Sequence, residues 1–417
     1  MPAKIQNLTP QNVYDSFHDV PPLDLDKLGT QSSSSATSDH VTAIQTGIIE
    51  ALGNGKKENK ETNHESEVLA GKPTSLQQKP SQSTRLPVVT SPVETLSKIN
   101  DIDWSVFAYV QYVTNSNYLC NSLMIFEALH RIGTKAERIM LYPQQWKVPK
   151  GKPEAEEERF LLQARDRYKV KLVPIQVVTY EDRGDETWKD SYTKLLAFNQ
   201  TQYKRVISLD SDAIVKQNMD ELFLLPSAPV AMPRAYWLDQ PFLSSQILVI
   251  EPSLSEWSRI HNYMTKNTQG GFDMDILNTL YKDHALVLPH SRYDLLTAEF
   301  RKEPNEHEPY LGTKEKWNGS KVLEEAKFVH FSDWPVKKPW LMDEVERKKK
   351  EPKCHAVGKE NEQKKDCTDR DIWVGFYEGY KIKRKEVCGR EYDIRRRSVG
   401  MMRREERKPA WFEPIIR

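Results

Sequence analysis

The stretch that decides the fold is Val206–Ile214, VISLDSDAI. An apolar, β-branched run ends in two aspartates separated by one serine. Such a strand gains by leaving water, whereas a bare carboxylate loses heavily by the same move. Asp210 and Asp212 therefore mark the strand's end and need a partner there. The single intervening residue, Ser211, turns both side chains toward the same side of an extended segment. Their oxygens can then share a hard divalent cation, whose charge offsets the cost of holding two carboxylates together. The ordinary alternative is a solvated strand end with an aspartate capping the next turn.

Strand and helix patterns alternate on either side. Upstream, VFAYVQYV and ERIMLYP read as strands, with NSNYLCNSLMIFEALHRIG as a helix between them that stops at Gly133. EAEEERFLLQARDRYK is an amphipathic helix, VKLVPIQVV a further strand, and TWKDSYTKLLAFNQTQY a helix running into the opening stretch. Downstream, PVAMPRAY and SQILVIEPS are strands and LSEWSRIHNYMTKN is a helix. DMDILNTLY opens another helix, with Asp273 in its first turn or capping it. This order predicts an α/β fold with a mostly parallel sheet covered by helices on both faces. Ligands of such sheets gather at the carboxyl ends of the strands, which is where the aspartate pair lies.

The chain's 417 residues suffice for one large domain and tails. With 61 basic and 60 acidic side chains the net charge is +1, so no global field implies a nucleic-acid partner, although the last stretch is locally basic. Residues 1–98, rich in Ser, Thr, Pro, Lys and Glu, cannot bury enough apolar surface to fold. They read as a disordered arm in which only VTAIQTGIIEAL suits a short helix. The folded domain is expected over 99–344. Residues 345–417 read as a basic extension in which DIWVGFYEGYKIKRKEV forms a peripheral helix. The four cysteines are expected to be unpaired, Cys367 and Cys388 alone having a spacing that suits a loop-closing bridge. No apolar run is long enough for a transmembrane segment and the start as given lacks a signal-peptide core, so the expectation is either the cytosol or a start that is not the native one. The sequons at Asn7, Asn199 and Asn318 would matter only in a secretory compartment and read as chance matches in a cytosolic chain.

EAKFVHFSDWPVKKPW adds His330 after a short apolar run, with Lys337 and Lys338 beyond it. An imidazole is a third metal ligand, and an ammonium neutralises phosphate oxygens. Two carboxylates, an imidazole and a lysine together suit Mn2+ (or Mg2+) carrying a diphosphate, though each residue singly reads as ordinary surface. Trp237, Phe242, Trp334 and Trp340 flank these elements. Their faces suit sugar C–H surfaces, while core packing or loop anchoring is the commoner use.

Four ordered segments, SYTKLLAFNQTQYKRVISLDSDAIV, SQILVIEPS, GGFDMDILN and FVHFSDWPVKKPW, resemble the glycogenin-like (family 8) nucleotide-sugar glycosyltransferases. The fungal glucose N-acetyltransferase, or α-N-acetylglucosamine transferase, branch is the nearest in pattern, over roughly residues 103–343. The resemblance implies a GT-A fold. It also implies retaining transfer of a hexose or N-acetylhexosamine from a UDP-sugar donor to a glycan or other hydroxyl acceptor. It makes Asp210-Ser211-Asp212 the metal-binding D-x-D and His330 the further metal ligand. It puts Lys338 on the diphosphate, Lys194 near the donor, Thr114 and Tyr118 near the uracil, and Asp273 beside the transferred sugar. Catalytic roles fall on Asp273, Lys194 and Lys338. The chain departs from the pattern where Ser244, Ser245 and Gln246 replace Asn-Ser-Gly, where Met274 follows Asp273 in place of Gln, and in a longer His330–Lys338 interval. Resemblance to membrane-anchored relatives points to the Golgi, and homodimer formation stays open. The rival readings are a catalytically inactive GT-A-like binding or scaffold protein, and a basic tail serving as a nucleic-acid or membrane-surface module.

Overall fold

The computed structural model describes residues 102–178, 190–266, 271–356 and 365–389. The expected N-terminal arm and its short helix, the sequon at Asn7 and the basic end beyond 389 lie outside the described residues.

The main sheet starts with β1 (Phe107–Tyr112), whose residues are almost all buried. Asn115 then caps α1 (Ser116–Arg131) by accepting hydrogen bonds from the backbone N–H groups of Asn117 and Tyr118. β2 (Glu137–Pro143), α2 (Glu156–Tyr168) and β3 (Val170–Ile175) follow in parallel, stepping outward from β1. The later strands are β4 (Arg205–Leu209), β5 (Ala213–Val215), β6 (Val230–Pro233), β7 (Ile247–Ile250), β8 (Leu286–Leu288), β9 (Leu295–Leu296) and β10 (Phe328–His330). β4 returns to the free side of β1 and pairs with it in parallel, giving the order β3-β2-β1-β4-β7-β6-β8. β7 is antiparallel to both β4 and β6, and β8 runs parallel to β6, so the sheet is mixed but mostly parallel, as the alternation predicted. The order in which successive strands are added reverses between β1 and β4, the topological switch point of the sheet, and ligands of such sheets bind at the carboxyl ends of the strands there.

A short 3-10 helix, Ser191–Asn199, takes the place of the α-helix expected there; the earlier part of that expectation lies outside the described residues. Ser191 to Leu195 are all buried, so the segment presents no solvent face to sustain an amphipathic helix. Leu195 and Phe198 join Ile260 of α3 (Leu254–Lys266) and Ile276 and Tyr281 of α4 (Asp273–Tyr281) in the main core, with Phe198 stacked on Tyr281. A second sheet, β5-β10-β9, is built on antiparallel β5–β10 pairing that sets His330 opposite Ala213.

After α5 (Gly319–Glu325) and α6 (Glu344–Lys350) comes α7 (Thr368–Cys388). It is not peripheral. Trp373, Phe376, Tyr377 and Tyr380 are buried, and from Trp104 onward the described chain forms one compact unit that includes this helix. Its buried face packs against α1, α5 and the turn Thr297–Arg301, partners that no local pattern in its own sequence names. The cysteines are also paired, contrary to expectation: Cys120 with Cys388, and Cys354 with Cys367. A Cys367–Cys388 bridge is excluded by geometry. The two residues sit at opposite ends of α7, about 30 Å apart at 1.5 Å rise per residue. Among the described residues, no helix is long and apolar enough to cross a membrane.

Candidate active site

Asp210 directly follows β4 and Asp212 directly precedes β5, so the D-S-D stretch is the joint between the two sheets. The backbone N–H of Asp210 continues the β4–β7 pairing onto Gln246 O (2.9 Å), while Asp212 O accepts from Phe331 N (3.0 Å) in the β5–β10 register. Each aspartate is thus fixed by a different sheet, and Ser211 is buried between them. β10 delivers His330 to the same point. Its Nε2 lies 3.0 Å from Asp212 Oδ1 and 3.7 Å from Asp210 Oδ2, and its Nδ1 lies 3.0 Å from the Ser332 hydroxyl. One ligand atom from each of Asp210, Asp212 and His330 falls within 4.8 Å of the others. Two carboxylate oxygens and one imidazole nitrogen at that spacing fit a divalent ion of the Mn2+ or Mg2+ type.

Two ammonium groups flank the cluster. Lys338 Nζ lies 2.6 Å from Asp212 Oδ2 and donates to Phe331 O (2.6 Å). Lys337 points away to Glu346 on the surface, so of the two neighbouring lysines Lys338 is the one at the site. Lys194, only 4% exposed, is surrounded by Asp210 Oδ1 (2.8 Å), Asp273 Oδ2 (2.7 Å) and the backbone carbonyl of Ser245 (3.1 Å). Lys194 donates a hydrogen bond to the Ser245 carbonyl and ion-pairs with both carboxylates, and so organises the acidic residues around it. Asp273 opens α4 without capping it. The N-terminal backbone of that helix is satisfied by Asp275, which accepts from Phe272 N (2.8 Å), leaving the Asp273 carboxylate to Lys194.

The electrostatics separate the two aspartates. Burial pushes Asp210 up to about 6, with Lys194 opposing and the Asp212 charge adding to the rise. Burial pushes Asp212 the same way, but His330 and Lys338 outweigh it and hold the carboxyl well below its usual range. Burial would also depress Lys194, yet Asp210 and Asp273 keep its ammonium well above the ordinary lysine value. The cluster is an alternating lattice of charges, and a cation entering it would replace protein cations as the partner of the carboxylates.

Thr114 and Tyr118 sit past the end of β1, next to β4 and so at the switch point. Tyr118 meets Trp340 edge-on at 6.1 Å, which ties the start of α1 to the segment carrying Lys338. Trp334 is half exposed on that segment, while Trp237 lies edge-on against Tyr236. Three further participants were not among the expected site residues: Gln246 stood out only as a departure from the family pattern, and Asp294 and Asp333 did not stand out. Gln246 donates from Nε2 to the Ser332 hydroxyl (3.2 Å) that bonds His330. Asp294 is fully buried beside the Ser244 hydroxyl, its two oxygens otherwise without a hydrogen-bond partner among the described residues. Burial, reinforced by the Asp210 charge, pushes its carboxyl up to about 8. Asp333 anchors the segment between His330 and Lys338. A buried aspartate ahead of an apolar pair, as in Asp294-Leu295-Leu296, was the one available hint.

No family model matches the chain. Among solved structures, it aligns with the WbbM bifunctional glycosyltransferase at 13% identity and a TM-score of 0.41, covering 66% of this chain and 50% of that one. It also aligns with the galactosyltransferase LgtC in complex with donor and acceptor sugar analogs at 15% identity and a TM-score of 0.40, covering 57% and 91%. Curated sequences are much nearer. Glucose N-acetyltransferase 1 of Gibberella zeae is 53% identical over 294 residues, which is 69% of this chain and 63% of the relative's length. Glucose N-acetyltransferase 1 of Saccharomyces cerevisiae is 28% identical over 69% of this chain and 82% of its own. The protein of that name from Aspergillus fumigatus is 44% identical over 305 residues, 69% of this chain and 78% of its own length. At that identity and coverage, the chain belongs to the glucose N-acetyltransferase 1 family.

Proposed function

We propose that this chain is a metal-dependent, retaining glycosyltransferase of GT-A, glycogenin-like (family 8) type. It moves a hexose or N-acetylhexosamine from a UDP-sugar to a hydroxyl of a glycan or other acceptor. The observation that carries the reading is the meeting of Asp210, Asp212 and His330 at the β1/β4 switch point, with lysines on either side. A scaffold would have no use for three metal-ligand groups held together at the cost of burying them. The name of the relatives makes UDP-N-acetylglucosamine the first donor to test.

Asp210, Asp212 and His330 would hold the ion, and the imidazole nitrogen favours Mn2+ over Mg2+. A bound divalent ion supplies neutralisation of the negative charge that grows on the departing nucleotide. Lys338, already in contact with Asp212, adds a second positive group for the diphosphate oxygens. Lys194 holds the Asp210 and Asp273 carboxylates together from between them. Because the Asp273 charge is committed to that ammonium, it suits hydrogen bonding to sugar hydroxyls better than nucleophilic attack. Retention then comes from same-face attack, with the leaving phosphate taking the acceptor's proton. Thr114 and Tyr118 are the residues for the uracil side.

The two cystines support an oxidising compartment rather than the cytosol, which fits the Golgi. Asn199 and Asn318 are both exposed, so there they are open to glycan attachment.

The test is UDP release from UDP-N-acetylglucosamine, UDP-glucose and UDP-galactose with a free sugar acceptor and Mn2+, before and after chelation, for the wild type and Asp212→Ala. Loss of a carboxylate that holds the ion is expected to lower turnover roughly a thousandfold without unfolding the protein. Equal turnover by the two proteins, or indifference to chelation, rejects the metal assignment.

A further inference from the structure

His330 and Lys338 belong to two ends of one irregular segment, and irregular segments hold a geometry only if something outside them imposes it. That something is α7. The Asp333 carboxylate, 4% exposed, accepts from Trp373 Nε1 at Oδ2 (2.7 Å) and from Arg301 at Oδ1 (2.7 Å), with the Tyr377 hydroxyl as a further partner. Phe331 sits edge-on between Tyr377 (5.4 Å) and Tyr380 (4.9 Å), and Trp340 lies against Tyr380 at 5.7 Å. The segment is therefore held near its start and at its end by one helix.

The same helix grips the other side of the site. The Arg384 guanidinium lies 5.6 Å from the Trp340 ring while hydrogen-bonding the Asn121 side chain and the Asn117 carbonyl of α1. Lys383 reaches Glu127 (3.0 Å), and Cys388 is bonded to Cys120, both on α1. α1 follows Thr114 and carries Tyr118. One helix, lying outside the stretch that the sequence pattern marks as the enzyme, thus links the segment bearing His330 and Lys338 to the start of α1.

We propose that α7 is a clasp that positions the donor site, with Trp373 and Asp333 as positioning residues that set the geometry of the His330–Lys338 segment. This rests on the donor-site reading above and adds to it which element makes the site competent. Trp373→Phe keeps an aromatic ring and deletes the N–H donor, while Asp333→Asn keeps the shape and one acceptor.

The experiment compares these variants with the wild type, well below their melting midpoints, by backbone hydrogen exchange and by calorimetric binding of UDP in the presence of Mn2+. Losing a buried hydrogen bond to a charged group is worth a factor of about ten or more. Trp373→Phe is therefore expected to speed exchange over residues 331–340 at least tenfold, to leave β1 and β4 unchanged, and to weaken UDP binding by about the same factor. Asp333→Asn is expected to show a smaller effect in the same direction. A lowered melting midpoint with exchange at 331–340 and UDP affinity both within twofold of wild type overturns the proposal, because α7 would then contribute stability alone. Equal acceleration in β1 and β4 overturns it as well. Failure of the wild type to bind UDP refutes the donor-site reading and the donor part of this proposal, while the exchange comparison separately upholds or overturns the clasp.

Discussion

Lys194→Met removes an ammonium that lies 2.8 Å from Asp210 and 2.7 Å from Asp273 and is itself only 4% exposed. Methionine fills most of the same volume, so the change isolates the charge. Two largely buried carboxylates are left facing each other with no cation between them, and breaking a buried pair in this way costs about 3–5 kcal/mol. The penalty has a definite pH dependence. Lys194 lowers the Asp210 carboxyl, which burial has already pushed up to about 6; without the ammonium it rises further and takes up a proton at a higher pH. Protonation relieves the uncompensated charge, so the destabilisation is expected to be largest near pH 8 and to shrink toward pH 5. Urea unfolding followed by far-ultraviolet circular dichroism, with chelator present and at both pH values, measures the difference. A loss below about 1 kcal/mol at pH 8 would refute the reasoning, since that is the scale of an exposed ion pair. A loss independent of pH would show that Asp210 is not the residue Lys194 neutralises.

The two cystines are expected to differ in worth: Cys120–Cys388 spans 268 residues and Cys354–Cys367 spans 13. The chain-entropy relation gives about 5.5 and about 3 kcal/mol respectively, so Cys120→Ala with Cys388→Ala should lower the urea midpoint more than Cys354→Ala with Cys367→Ala. The opposite ranking, or four titratable thiols in the unreduced denatured protein, contradicts the pairing. Asp294, with its carboxyl pushed up to about 8 by burial, binds a proton more tightly folded than unfolded. Its contribution to stability is complete below pH 4 and is lost as pH rises to 8, amounting to at most about 6 kcal/mol. Asp294→Asn should therefore gain on the wild type steadily across that range in chelator-treated protein. Stability curves that stay parallel from pH 4 to pH 8 would show that Asp294 is not buried as an acid.

Local chemistry made part of this molecule legible without coordinates. The alternation from Phe107 to Val215 announced the α/β layering, because apolar periodicity is a property of consecutive residues. The two aspartates marked the end of β4 for the same reason: charge interrupting an apolar run can be seen where it stands. What joined them to a site is long-range. His330 reaches Asp212 across 118 positions only because β10 pairs antiparallel with β5, and a register between distant strands leaves no trace in either one. Lys194 was expected near the donor, but its contacts with Asp210, Asp273 and the Ser245 carbonyl come only from the fold. Cys388 lacked any local clue to Cys120, and the helix ending there read as peripheral because an amphipathic pattern shows that a helix has a face to bury without showing what covers it. The sequence determined by itself which donor atoms and charges the chain has to offer, since these are intrinsic to side chains. The tertiary structure alone decided which of them meet, because that depends on strand register and helix packing among residues far apart in the chain.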